Sequence, residues 1–267
     1  MKSDFELIVR DFPAKTDLTI IPVSDVHLGA MEHMSEEWTQ FCKDVLADPN
    51  TFVTLGGDLI NNATRSGVSN IFQETMRPSE QKRRMVELLK PLAREGRILC
   101  AVSGNHERRS GKDCDDDPMY DIMAKLDLED IYRENIAFLK LSIGDSHNGA
   151  GGGKKNPTYC LAVTHGAGGG IYTGGAVNRN ERFGFVMDGV DALVVGHTHK
   201  GAITKPMKIF VDKHNNLVGM KPFVVVSSVP WMNFGGYAMQ KMLLPATSGD
   251  PQKLKLNGKC KKISLVW

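Results

Sequence analysis

Five short apolar runs, each closing on a polar cluster, constrain this chain more than any other feature. LTIIPVS (18–24) runs into DVH, TFVTL (51–55) into GGD, RILCAVS (97–103) into GNHE, CLAVT (160–164) into HG, and ALVV (192–195) into GHTH. Short runs rich in β-branched residues and bounded by turn formers read as buried strands. Between the earlier runs lie SEEWTQFCKDVLA (35–47) and SEQKRRMVELLKPLARE (79–95), whose apolar positions recur at helical spacing. Strands alternating with helices predict an α/β architecture with parallel pairing.

From about residue 136 the texture changes to strand-like pieces: IAFLKLSI, PTYCLAVTH, AITKPMKIF, KPFVVVSSV, YAMQKMLL and KKISLVW, with one helix candidate near 178–188. A second sheet, mixed or antiparallel, is expected from them. The segment GDSHNGAGGGKKNP (144–157) reads as an exposed hairpin tip or a flexible insertion, and nothing in it follows the P-loop pattern. No internal repeat or linker divides the chain, and 267 residues suffice for one large core, so a single domain over 1–267 is expected.

A formal charge of +2 gives no general electrostatic case for nucleic acid. The basic stretches RPSEQKRR (77–84) and KLKLNGKCKK (253–262) and the acidic DCDDD (113–117) read as solvated faces. Five cysteines, an odd number without CxxC pairing, argue against a disulfide framework and against a thiolate zinc site. No apolar run approaches the roughly 20 residues that span a bilayer, and the opening MKSDFELIVRDF lacks a signal-peptide core, so a cytoplasmic protein with no membrane partner is expected.

In open α/β folds, ligands sit beyond the carboxyl ends of strands, and that is where Asp25, His27, Asp58, Asn105, His106, His165, His197 and His199 fall. Each alone has an ordinary structural explanation, since a buried histidine is more often a hydrogen-bonded core residue than a ligand. Five of the eight histidines at strand ends, with two aspartates and an asparagine, are poorly explained by coincidence. Alternation would point Asp25 with His27, and His197 with His199, to the same side of a strand end. An oxygen and imidazole set without thiolates suits Mn, Fe, Co, Ni or Zn better than soft copper.

Taken in order, DVH, GGD, GNHE, an isolated His165 and GHTH resemble the five motif blocks of the calcineurin-like metallophosphoesterase superfamily. The resemblance spans residues 25–199, about two thirds of the chain. It implies two mixed β-sheets packed as a sandwich flanked by helices, a four-layer αββα fold. It further implies two divalent metal ions, Mn²⁺ first among the candidates, one bound by Asp25, His27 and His199 and the other by Asn105, His165 and His197. Asp58 would bridge them, its two oxygens matching the roughly 3.5–4 Å separation of two-metal sites. His106 would be the general acid or transition-state stabiliser. The nucleophile would be metal-bridging hydroxide rather than a side chain.

Protein Ser/Thr phosphatases of this superfamily continue their GD block as GDxVDRG, whereas this chain reads GGDLINNATRSG. That departure, and GGDLIN itself, favour a phosphodiesterase acting on a nucleotide, a short oligonucleotide or another small diester. Other readings are a nuclease or nucleic-acid end processor in an assembly, a phosphomonoesterase, and a noncatalytic metal-stabilised binding module. Arg108 and Arg109, directly after GNHE, are candidates for clamping the substrate phosphate, with a solvated or helix-entry pair as the equal alternative. The glycine-rich HGAGGGIYTGGAVNRN (165–180) permits close backbone approach to the site, and Tyr172, Asn178 and Arg179 are placed to line its entrance.

Overall fold

The structure, a computed structural model, describes residues 2–65, 67, 70–144 and 156–267. Most of the segment expected as a hairpin tip, 145–155, lies outside the described residues. Three of the motif-bearing runs are adjacent parallel strands: β2 (Leu18–Val23), β3 (Thr51–Leu55) and β4 (Ile98–Val102). They form the middle of a six-stranded sheet whose other members are β5 (Tyr132–Arg133), β13 (Lys253–Leu256) and β14 (Ile263–Val266), in the order β14-β13-β2-β3-β4-β5.

The remaining two motif runs are β7 (Thr158–Thr164) and β8 (Ala192–Val195), again parallel neighbours, in a second six-stranded sheet. Its order is β1-β6-β7-β8-β12-β9, with β1 (Ile8–Phe12), β6 (Ile136–Ile143), β9 (Ala202–Thr204) and β12 (Val224–Ser227). Antiparallel pairing of β6 with β7 and of β12 with β9 makes this sheet mixed, as expected.

Alternation within the strands builds the layers. Ile20, Phe52, Cys100 and Val102 point one way and meet Leu139, Leu141, Leu161, Val163, Val194 and Val226 of the second sheet. Ile21, Val53 and Ala101 point the other way, onto α1 (Ser35–Ala47) and α2 (Pro78–Arg94). α1 buries Trp38, Phe41, Cys42 and Val45, and α2 buries Gln81, Met85, Leu89 and Leu92, each set one helical stripe. Each fully buried apolar side chain of this size contributes about 1.5–3 kcal/mol. On the far face of the second sheet, α5 (Thr173–Phe185) comes so close that a Cβ on Gly184 would lie 2.3 Å from the Phe223 ring. Two sheets between two helical layers give the αββα sandwich.

Helices 35–47 and 79–95 stand where expected, within one residue. The helix expected near 178–188 begins earlier, at Thr173, because Gly174 and Gly175 are taken into its first turn. YAMQKMLL, expected as a strand, instead holds the short helix α6 (Gly236–Gln240) followed by turns. Its Tyr237 and Met239 are exposed, so its apolar character reflects no burial. α3 (Glu107–Cys114) and α4 (Pro118–Ala124) were not anticipated. AITKPMKIF and KPFVVVSSV each divide: β9 and β12 join the second sheet, whereas β10 (Met207–Asp212) pairs with β11 (Leu217–Pro222) in a separate ribbon. Ile209, Val211, Val218 and Met220 lie exposed along that ribbon.

The charged stretches have structural uses. Lys82 of the first basic stretch pairs with Asp116 and Asp121, and Asp117 caps α4 by accepting from the Tyr120 N–H. The second basic stretch opens as β13, alternating exposed Lys253 and Lys255 with buried Leu254 and Leu256. Among the described residues no helix is long and apolar enough to cross a membrane.

Candidate metal centre

All five motif blocks emerge at one end of the sandwich, because β2, β3 and β4 run parallel, as do β7 and β8. The site residues lie beyond the strands rather than on them. β2 ends at Val23 and β8 at Val195, so Asp25, His27, His197 and His199 occupy loops. Strand alternation is therefore not what aligns them. Asp25 (φ 55°), His27 (48°), Asp58 (52°), His197 (70°) and His199 (51°) all take the left-handed backbone conformation. Such a conformation costs a non-glycine residue on the order of 1–3 kcal/mol, and its concentration at five site residues marks a place where packing overrides backbone preference. Asp and His are among the side chains that tolerate it best.

Backbone hydrogen bonds hold these loops together. The N–H groups of Asp25, His27 and Leu28 donate to the carbonyls of Gly57, Asp58 and Leu59, continuing the β2–β3 pairing past the strand ends. The GNHE loop approaches so closely that a Cβ on Gly104 would lie 2.0 Å from Asp58 Oδ1, which only glycine permits. Beneath lies Glu107, fully buried, whose carboxylate accepts from four backbone N–H groups: Asp58, Leu59, Ile60 and Gly104, at 2.7–3.2 Å. Burial and the adjacent Asp58 charge push its pKa up to about 7 against the pull of those donors. Nothing in the sequence around Glu107 signals this cage.

The eight residues picked from strand ends converge. His199 Nε2 lies 3.2 Å from Asp25 Oδ1 and 3.2 Å from His27 Nε2. His165 Nε2 lies 3.2 Å from Asp58 Oδ2 and 2.9 Å from Asn105 Oδ1, and His197 Nδ1 lies 2.6 Å from that same Asn105 oxygen. Asp58 Oδ2 stands between the groups, 3.9 Å from His27 Nε2 and 3.8 Å from His106 Nε2. Asp25, His27, Asp58 and His165 form a buried floor, while Asn105, His106, His197 and His199 are half-buried at its mouth. Asp25–His27–His199, His27–Asp58–His106 and Asp58–His165–His197 each bring three ligand atoms within 4.8 Å of one another.

The chemistry of this donor set fits a cation. Carboxylate oxygens, an amide oxygen and imidazole nitrogens face one another, so electron pairs meet electron pairs unless positive charge lies between them. Burial alone would raise the Asp25 and Asp58 carboxyls. The imidazoles of His199 beside Asp25, and of His106 and His165 beside Asp58, instead hold both below the usual carboxylate range. Burial disfavours charge on His165 too, yet the Asp58 carboxylate wins and lifts its pKa to about 9. Burial keeps His27 and His106 below the ordinary histidine value. A pocket that retains protons between its own acids and imidazoles suits divalent metal ions, which displace those protons on binding.

A model of the calcineurin-like phosphoesterase family matches residues 18–201, more than half of the chain. The chain belongs to that family. Its chemistry is accordingly that of a hydrolase acting on phosphate esters, with clustered His and Asp side chains able to bind metal. Among solved structures, a conserved uncharacterized protein from Streptococcus pneumoniae TIGR4, described as a predicted phosphoesterase, is similar over 94% of this chain and 90% of its own, at 11% identity and a TM-score of 0.39. No curated protein matches the chain.

The two arginines after GNHE part company in this calcineurin-like phosphoesterase. Arg108 donates through Nη2 to the carbonyls of Ser103 (2.9 Å) and Glu134 (3.0 Å). Arg109 donates through Nη2 to His106 Nε2 at 2.8 Å and reaches the Asn61 carbonyl. In the glycine-rich segment, Arg179 donates to Ala167 O and Gly169 O and so ties that loop to α5. Tyr172 stands exposed just before α5.

Proposed function

We propose that the protein is a two-metal phosphodiesterase that cleaves a nucleotide, a short oligonucleotide or another small phosphodiester. The observation that carries the reading is the convergence of electron-pair donors on both sides of Asp58. In this reading Asp25, His27 and His199 hold one divalent ion, Asn105, His165 and His197 hold a second, and Asp58 serves both. Mn²⁺ is the first candidate, with Fe, Zn, Co and Ni as alternatives of similar ligand preference. Bound there, two ions activate water near neutral pH and polarise the phosphoryl oxygens.

His106 handles the leaving group. Its Nδ1–H donates to the Asn61 carbonyl at 2.7 Å, which fixes the ring and turns Nε2 toward the cluster. Nε2 is a lone pair in that tautomer, so it must first take up a proton as the substrate phosphate draws Arg109 away; passed on to the departing alkoxide, that proton would contribute a general-acid factor of roughly 10²–10⁴. Arg109 already points a permanently charged Nη2 donor at that same nitrogen, so an incoming phosphate oxygen exchanges with Nε2 for that donor.

The diester preference rests on the loop after Asp58. The phosphatase pattern GDxVDRG places an arginine four residues after its aspartate. Asn62 stands there instead, buried, with its amide donating to His106 O and Ser110 Oγ. That position supplies structure and no cation for a doubly charged monoester.

The test compares bis-p-nitrophenyl phosphate with p-nitrophenyl phosphate on chelated protein re-supplied with Mn²⁺, with Asp58→Asn as control. Diester turnover that exceeds monoester turnover and vanishes in the control is expected. Monoester preference would make the protein a phosphatase. Silence on both substrates despite bound metal would favour a binding module.

A further inference from the structure

His27 reaches the cluster through Nε2 and leaves Nδ1 facing Asn61 Oδ1 at 3.2 Å. A carboxamide seen alone does not reveal which end is oxygen. The Asn61 amide is decided by a second residue, because its Nδ2 donates to Glu74 Oε1 and an ionised carboxylate only accepts. The NH₂ group must face Glu74, so the oxygen faces His27. His27 therefore carries its proton on Nδ1 and presents a lone pair at Nε2 toward Asp25, Asp58 and His199.

Glu74 is itself fixed. Its Oε2 accepts from Gln81 Nε2, and Gln81 cannot turn over, since that nitrogen also donates to Met76 O while Oε1 accepts from the Asn62 N–H. Thr75 donates to the Gly29 carbonyl through both N–H and Oγ1, tying the Glu74 segment to the loop that carries His27. Gly29 has φ +106°, and a Cβ there would lie 2.1 Å from Gln81 Nε2. Asn61 and Gln81 are buried, and Glu74 is half-buried.

We infer that Glu74, acting through Asn61, sets the tautomer and orientation of His27 and thereby the affinity of the metal position built from Asp25, His27 and His199. The inference rests on the two-metal reading above. Glu74 and Asn61 are positioning residues, three and two bonded contacts from the ion. Glu74→Gln shows why the carboxylate matters: glutamine offers one oxygen to two N–H donors. Gln81 keeps it, Asn61 turns its own oxygen to the new NH₂, and its NH₂ meets His27 Nδ1. The His27 proton then moves to Nε2, where the lone pair is required. Partners of this kind are worth 10–100-fold in metal affinity.

The experiment is calorimetric titration of Mn²⁺ into the chelated full-length wild type, Glu74→Gln, Asn61→Ala and the double variant, alongside thermal midpoints of the chelated proteins. The expected result is two binding events in wild type, one of them weakened 10–100-fold in Glu74→Gln and the other unchanged, at an unaltered metal-free midpoint. The double variant should bind no more weakly than Asn61→Ala alone, since Glu74 acts only through Asn61. Unchanged affinities in Glu74→Gln, or equal weakening of both events with a lowered midpoint, overturn the inference and leave the two-metal reading standing. Wild-type protein that takes up no Mn²⁺ overturns both.

Discussion

The two sheets contribute to the site in different ways. Loops of the first sheet bring both carboxylates, Asn105, His27 and His106, and they are cross-braced: the Asp58 loop hangs on Glu107 and the DVH loop runs beside it. Loops of the second sheet bring His165, His197 and His199, anchored largely by atoms of the first. His165 Nδ1–H donates to Gly56 O, and the His197 N–H donates to the Asp25 carboxylate. Ser24 extends the bracing by contacting both Asp25 and Ser228. One sheet is the frame, and the other sets imidazoles onto it. The division follows from cost: a buried carboxylate needs several fixed donors, whereas an imidazole needs one partner to fix its ring.

The largest expected effect lies at the centre of the frame. Asp58→Asn should abolish metal uptake and bring turnover down to that of chelated protein. His106→Ala should keep its metal and lose roughly 10²–10⁴ in kcat. Metal content by elemental analysis beside turnover separates the two roles. Equal metal loss in both variants would show that His106 is a ligand and not an acid.

The frame and the imidazoles should also differ in stability. Glu107→Gln leaves one oxygen for four buried N–H groups. With unsatisfied buried donors costing about 1–3 kcal/mol each, metal-free protein should lose roughly 3 kcal/mol in urea unfolding. His197→Ala, at the half-buried mouth, should lose metal with less than about 1 kcal/mol of metal-free stability. Comparable losses in the two variants would erase the distinction between the sheets.

Much of this was legible because chain direction does the placing. A polar residue directly after a buried parallel strand arrives at the same end of the sheet as its neighbours, so DVH, GGD, GNHE, HG and GHTH point to one cluster from the sequence alone. Helices 35–47 and 79–95 were legible from their spaced apolar stripes. Three kinds of feature escaped. The start of α5 was hidden by Gly174 and Gly175, which normally punctuate loops. YAMQKMLL and the β10–β11 ribbon carry apolar side chains that burial does not claim, so hydrophobicity misled there. Glu74 and Gln81 act 13 and 20 residues beyond Asn61, or on its neighbour, through contacts that no local period encodes.

The smallest predicted effect divides two neighbours of identical chemistry. Arg108 and Arg109 sit side by side in the first turn of α3, where residues one apart point about 100° from each other and cannot serve the same partner. Arg108 turns to Ser103 and Glu134 and braces the end of β4, while Arg109 turns to His106. Arg109→Ala should lower kcat/KM about tenfold, corresponding to about 1.4 kcal/mol, and Arg109→Lys should recover only part, because an ammonium lacks the planar fork. Arg108→Ala should leave kcat/KM within about twofold and cost on the order of 1 kcal/mol of stability through its two carbonyl partners. If Arg108→Ala matched Arg109→Ala in kcat/KM at unchanged stability, the division would fail. Both arginines would then have to reach the substrate, which requires α3 to rotate on binding.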